Sequence, residues 1–480
     1  MEQKQQILTN EAAGAAPAQS NRMGVQPEGR LLWSMGVPLA LSMMIQALYN
    51  IVDSIFVSRI GEDALTAVSL AYPMYMLMIS VAVGTGVGVN SLISRRLGAK
   101  QYDEANHAAS NGLMLMLISA GACMLFGLFG ARPFINAYTD DPQLRQMGAS
   151  YLSLCCIFCV GLFIQVFCER IMQSQGKNLY AMLMQMVGAV INIIFDPILI
   201  FGLLGFPRMG IAGAAVATVG GQIIAAGFSL ILVFGKKSEV RVRLRGFRPS
   251  GRIIKQIYQV GVPSIVLQAI GTVMNLVMNG ILIAFTQTAV AVFGVYFKVQ
   301  SFALMPLFGV TNASMSIMAF NYGARSKKRL MRTWRLTLLS SVVMMLLATT
   351  AFLLLPDQIL SMFNASADMY RIGRAALTIM PLCLPVAACC ISMSVMFQAV
   401  GNGMYSMFLS LARQLFVLVP AAWLLAKLTN EVTAVWWSFP IAEAASLAIC
   451  VAMFLHTYRT RIEKLGVPPD PSGAGESAPA

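Results

Sequence analysis

Long apolar stretches recur from one end of this 480-residue chain to the other, and they leave it few folds to choose from. Twelve can be placed, near 31–57, 65–94, 108–131, 147–169, 178–204, 210–234, 256–285, 288–319, 336–355, 375–398, 404–427 and 433–457. Each runs to about 20 residues or more, enough to carry a helix across roughly 30 Å of hydrocarbon. A segment in lipid must satisfy its own backbone hydrogen bonds, which a helix of this length does. With 57% hydrophobic residues, 11% charged residues and a mean hydropathy of +0.70, an ordinary soluble globule is excluded. The expected fold class is an all-α integral membrane protein with twelve transmembrane helices. The polar stretch before residue 30 lacks the charged start and cleavage site of a signal peptide, so the first helix is expected to be retained.

A net charge of +14 could point to nucleic acid, but the charges are not placed for it. With the N-terminus inside, the even-numbered connections hold 19 Lys and Arg residues and the odd-numbered ones seven, counting Lys427 at the edge of the eleventh span. Eight of the 19 lie in the middle loop: Lys236, Lys237, Arg241, Arg243, Arg245, Arg248, Arg252 and Lys255. A second cluster runs Arg325, Lys327, Lys328, Arg329, Arg332 and Arg335. This positive-inside asymmetry predicts a multi-pass protein of the plasma (inner) membrane with both termini cytoplasmic. The basic loops lie against anionic lipid, so the lipid bilayer is the partner they imply, not nucleic acid. Residues 1–29 are then a cytoplasmic tail, 30–235 a first lobe, 236–255 a basic linker, 256–460 a second lobe and 461–480 a disordered cytoplasmic tail.

The two lobes are copies. A shift of 225 residues brings Gly36-Val37-Pro38 onto Gly261-Val262-Pro263, Asn50 onto Asn275, Gly84 onto Gly309 and Gly98-Ala99 onto Gly323-Ala324. The same register carries Gln173, Gly176 and Tyr180 onto Gln398, Gly401 and Tyr405, and a shift of 221 later brings Gln222 onto Glu443. Six helices per copy is an even number, so both copies enter the bilayer in one orientation. They are expected to face each other across a central cleft, around an axis along the membrane normal.

Two carboxylates break the apolar pattern, and both are in the first copy. A charge inside hydrocarbon is costly and therefore rare unless it faces a cavity with a task. Asp53 lies 22 residues into the first helix, about 33 Å of rise, and Asp196 about 27 Å into the fifth. Thr218 lies about 12 Å below the outer start of the sixth helix, so all three fall at similar depth. Asn192 is one turn from Asp196, while Tyr49 and Asn50 are one turn from Asp53. Such a gathering of carboxylate, amide and hydroxyl oxygens suits a proton or a hard cation such as sodium. The second copy carries Met278, Val417 and Ala421 at the positions of Asp53, Asn192 and Asp196. Other readings stay open: Asp53 pairing with Arg59, Asp196 capping a helix broken at Pro197, and Asn192 holding two helices together.

The second lobe has its own polar set, Lys298, Arg413 and Glu443, expected to form a stabilising network with a substrate or gating role behind it. Glu169-Arg170 reads as an ordinary pair at a helix end. Pro38 and Pro263 each remove a helix hydrogen bond and permit a bend. Gln46 and Gln222 could present polar groups to the cleft, and the 33 methionines include adaptable surface for varied ligands. The nine cysteines lie inside apolar segments and read as small hydrophobes; no metal site or cofactor is expected.

The stretches Tyr49-Asn50-Ile51-Val52-Asp53-Ser54-Ile55-Phe56-Val57, Ala64-Leu65-Thr66-Ala67-Val68 and Asn192-Ile193-Ile194-Phe195-Asp196-Pro197 resemble the multidrug and toxic compound extrusion (MATE) family, in its MepA-like and DinF-like branches. The 6+6 layout is similar over residues 30–460. The resemblance implies a MATE-like fold and a monomeric drug/cation antiporter driven by H+ or Na+, with organic cations and other small-molecule drugs as partners. It implies an ion-coupling role for Asp53, Asn192, Asp196 and Thr218, a cavity-lining position for Met43, and a bend at Pro38. Two other classes stay open. A lipid-linked oligosaccharide flippase of related fold needs several cleft cations, which the first lobe's spans do not offer, and a membrane enzyme needs a His-rich cluster, a Ser/His pair or HExxH, which the spans lack.

Overall fold

The computed structural model describes residues 21–235, 238–242, 248–363 and 365–465. Lys236, Lys237, Arg243 and Arg245 of the basic linker, most of the N-terminal tail and residues 466–480 lie outside them. Among the described residues, eleven helices are long and apolar enough to cross a membrane, twelve when a bent pair is counted as one span. In chain order these are α1 (Glu28–Ser58), α2 (Glu62–Gly98), α3 (Tyr102–Phe129), α4 (Pro142–Ile157 continued by Val160–Ser174), α5 (Asn178–Phe201) and α6 (Ile211–Phe234). The second copy supplies α7 (Gly251–Ile283), α8 (Gln287–Gly323), α9 (Lys327–Leu354), α10 (Ala367–Ala399), α11 (Gly403–Thr429) and α12 (Val432–Ile462).

The expected single span near 147–169 is in fact broken. Its two halves meet at 46° around Phe158 and Cys159. No proline marks the spot. The reason lies across the interface, where a Cβ on Gly161 would come within 2.8 Å of the Ile223 backbone nitrogen, so α4 bends in against α6. The second copy has a 3-10 turn over Met380–Cys383 at the equivalent place inside α10.

The lobes meet along α1, α2, α7 and α8. On α2 the residues from Gly84 to Ser94 are almost all buried, as are those from Gly309 to Asn321 on α8, whereas the far halves of both helices are more open. Repeat-related glycines make the seam possible. A Cβ on Gly98 would sit 1.9 Å from the Phe320 carbonyl oxygen, and one on Gly323 would sit 1.9 Å from that of Arg95. Only glycine lets two backbones come this close. Asn90 and Ser316 hydrogen-bond across the same seam. The described chain ends lie at this closed face: Arg329 donates to the Met23 and Gln26 carbonyls and pairs with Glu28 at 3.5 Å, and Arg461 donates to the Val400 carbonyl.

Candidate functional site: a carboxyl pocket in the first lobe

Asp196 and Asn192 project from one face of α5, separated by one turn, and both are buried. The Asn192 amide sits in the orientation that satisfies both its ends. Its nitrogen donates to Asp196 Oδ2 at 2.8 Å, and its oxygen accepts from the Thr218 N–H and Oγ1 at 3.2 Å. Thr218 thereby ties α6 to α5, close to where Gly221 lets the α5 backbone approach. From α1, the half-buried Asp53 faces Asp196 closely enough for the two carboxyls to interact. Two carboxylates at close range repel each other when both are ionised, and a proton or a cation between them relieves that repulsion. Asp53 Oδ1 is buried without a hydrogen-bond partner among the described residues. The pocket thus brings two acids, an amide and a hydroxyl together from three helices.

Below the carboxyls lies a cavity of about 60 Å³, room for a few waters, lined by Gln46, Tyr49, Gln165, Gln185, Asn192, Thr218 and Gln222. Gln185 donates to Gln46 Oε1 at 2.7 Å, and Gln222 reaches the Tyr75 hydroxyl at 3.4 Å. Gln165, Gln185 and Tyr75 escaped the sequence reading. Gln185 was within reach of it, since seven residues before Asn192 is two turns on the same helix face.

Other residues fall elsewhere. Asn50 is exposed, because the site lies on the Tyr49 side of Asp53: i−4 sits 40° to one side of the carboxylate and i−3 60° to the other. Asp53 makes no ion pair with Arg59 among the described residues, and α5 runs unbroken through Pro197. Met43 lines a different, larger cavity of about 550 Å³ between the lobes. Arg413 and Glu443 pair at 3.1 Å on the wall of that cavity, while Lys298 is exposed and outside the pair. Arg170 is not a solvated helix-end residue: it is buried and faces the same cavity from the first lobe. Seven of the nine cysteines are buried and all are free.

With this geometry in hand, the comparisons with known proteins decide the lineage. The MatE family profile matches residues 38–198 and again 263–424, one match per repeat. The chain belongs to the MatE family. It is 23% identical over 430 residues to the multidrug export protein MepA of Staphylococcus saprophyticus, covering 89% of this chain and 94% of that one. It is 23% identical over 399 residues to an FAD transporter of Shewanella oneidensis, covering 82% and 88%. Among solved structures, an outward-facing multidrug-resistance MATE family transporter superposes with a TM-score of 0.86 at 26% identity, covering 94% of this chain and 99% of its own. A transporter from Pyrococcus furiosus, described by the reverse polarity of its binding pocket, gives 0.86 at 25% identity with the same coverage. The protein is thus a multi-pass membrane transporter with the two-lobed MATE fold.

Proposed function

We propose that this protein is a secondary active multidrug efflux transporter of the inner membrane, exporting amphipathic, often cationic compounds in exchange for H+ or Na+ by alternating access. The observation that carries the reading is the meeting of Asp53 and Asp196, two acids from different helices, inside one lobe of a protein whose lobes enclose a cavity of about 550 Å³. The similarity to MepA, a multidrug export protein, supports the substrate class. The basic loops support cytoplasmic termini, so the glycine seam closes the cytoplasmic face and the cavity communicates outward.

Antiport requires that ion and drug favour opposite states, since a ligand shifts an equilibrium only through its differential affinity. A cation or proton arriving between Asp53 and Asp196 pulls α1 toward α5. That repacks the cavity-facing side of α1, where Met43 lies ten residues below Asp53, and weakens the hold on drug. After drug leaves, the lobes part at the glycine seam and release the ion inward. The test is cationic-dye uptake into everted membrane vesicles with the proton and sodium gradients collapsed separately. Uptake that stops with one ionophore identifies the ion; uptake that survives loss of both gradients rejects ion-coupled efflux.

A further inference from the structure

The seam that closes one face of the molecule, cytoplasmic in the reading above, is crossed by a short length of main chain. Ahead of α1 the chain makes one helical turn, Arg22–Val25, capped by Asn21, whose Oδ1 accepts from the Met23 N–H at 3.0 Å. This turn has a footing on each lobe. Toward the first lobe, Met23 is fully buried against Gly176 in the loop between α4 and α5, where a Cβ would come within 3.1 Å of its Cγ. Asn21 Nδ2 donates to Glu239 Oε2 at 3.1 Å, and Glu239 is held in turn by Lys177 at 3.1 Å and by Gln175 Oε1, which accepts its N–H at 2.7 Å. Toward the second lobe, Asn321 Nδ2 donates to the Met23 carbonyl at 3.3 Å, and Arg329 donates to that carbonyl and to the Gln26 carbonyl. Glu28, buried at the start of α1, pairs with Arg329 at 3.5 Å and Arg332 at 3.7 Å.

The repeat shows that this bridge departs from the duplicated plan. Under the 225 shift Asn321 and Arg329 fall on Arg96 and Glu104, which pair with each other at 2.9 Å. Gly176 falls on Gly401, where the side chain of Arg95 packs in place of a methionine. One copy therefore closes side chain to side chain, and the other closes on the backbone of a separate segment. The two footings also differ in strength. The first-lobe footing has a buried apolar anchor. The second-lobe footing consists of hydrogen bonds and ion pairs, and the Arg329 side chain is 22% exposed, so water can replace those bonds at small net cost.

We propose that residues 21–28 are a latch that holds the seam shut and sets how often the transporter opens inward. The inference rests on the alternating-access reading above and adds a control to it. Parting the seam carries Phe320 and Asn321 away from Gly98, while Gly176 stays with the lobe of Gly98. A segment with a footing on each side cannot keep both. The polar second-lobe footing is the one that gives, and the segment leaves with α1 and the first lobe. Interactions made in only one of two states bias the equilibrium by their net free energy, so the Asn321 and Arg329 bonds favour the closed seam. The Asn21–Glu239 bond is made in both states and favours neither.

Pulsed-EPR distances between nitroxides at Lys100 and Arg325, exposed residues just past the seam glycines Gly98 and Gly323, read the opening. The labels enter by amber suppression, which spares the native cysteines, and the full-length protein is measured in lipid nanodiscs. Arg329→Gln and Asn321→Ala each raise the ratio of long to short distances about fivefold or more, the effect of one lost hydrogen bond on an equilibrium. Asn21→Ala, in the footing that stays made, and Lys328→Gln, which removes a neighbouring exposed charge, leave the ratio within about twofold, less than one such bond. Unchanged ratios in Arg329→Gln and Asn321→Ala, beside a wild type that opens when coupling ion or dye is varied, overturn the latch and leave alternating access intact. Equal rises in all four variants also overturn it, because they mean that the face is merely loosened. A wild type fixed at one distance under every ion and dye condition overturns the access reading and the latch with it, so the wild type alone tells the two failures apart.

Discussion

At the scale of single residues, the first-lobe pocket depends on a few oxygens held at fixed places. Asp53→Asn and Asp196→Asn each remove a charge from the carboxyl pair but keep its size. Both variants are expected to reach the membrane at wild-type levels and to lose drug efflux, as measured by dye accumulation normalised to membrane protein. Thr218→Val deletes one hydrogen bond to the Asn192 amide, worth about 1 kcal/mol, so a roughly fivefold weaker ion dependence is expected and not full loss. Ion titration of transport rates in proteoliposomes reads that difference; an unchanged half-saturation would show that the Asn192 bridge does not hold the site. Much of this pocket was legible in the sequence because a carboxylate in an apolar run stands out against its background. Two amides were harder to read: Gln165 and Gln185 are common residues whose relevance depends on which helix face turns inward. Asn50 illustrates the limit, since helical spacing alone places it as near Asp53 as Tyr49, and only packing decides between them.

At the scale of elements, alternating access as proposed would use α1 and the glycine seam. Pro38 removes one backbone hydrogen bond from α1 without ending the helix, and so leaves a cheap place to bend. Pro38→Ala restores that bond and is expected to slow turnover several-fold while equilibrium drug binding stays within a few-fold of wild type. Full-speed transport by this variant would leave rigid rocking of the lobes as the surviving account. Gly98→Val or Gly323→Val puts side-chain atoms where a carbonyl oxygen from the other lobe already sits. Each should prevent the seam from closing. Spin-label distances between the ends of α2 and α8 are expected to lengthen, and efflux to stop; unchanged distances would mean the seam has slack that the close contact hides. The long helices and their order were readable from hydropathy alone. The break in α4 was not, because its cause is a close approach between Gly161 and α6, a contact that exists only once the lobe is packed.

At the scale of the whole molecule, duplication built two lobes and divergence gave them different chemistry. The first lobe gathers Asp53, Asn192, Asp196 and Thr218, where the second has Met278 buried at the position of Asp53 and apolar residues opposite the rest. The second lobe instead carries the Arg413–Glu443 pair on the wall of the larger cavity. The account therefore assigns ion coupling to one lobe and much of substrate recognition to the cleft beside the other. Two sites that bias one equilibrium must affect each other's binding reciprocally. The most direct measurement is the dissociation constant of a transported dye on the purified protein, taken with and without saturating coupling ion, in wild type and in Asp53→Asn. The ion should weaken dye binding at least tenfold in the wild type and leave it within twofold in the variant. Equal weakening in both would place the coupling site outside the first-lobe carboxyl pair and contradict the account.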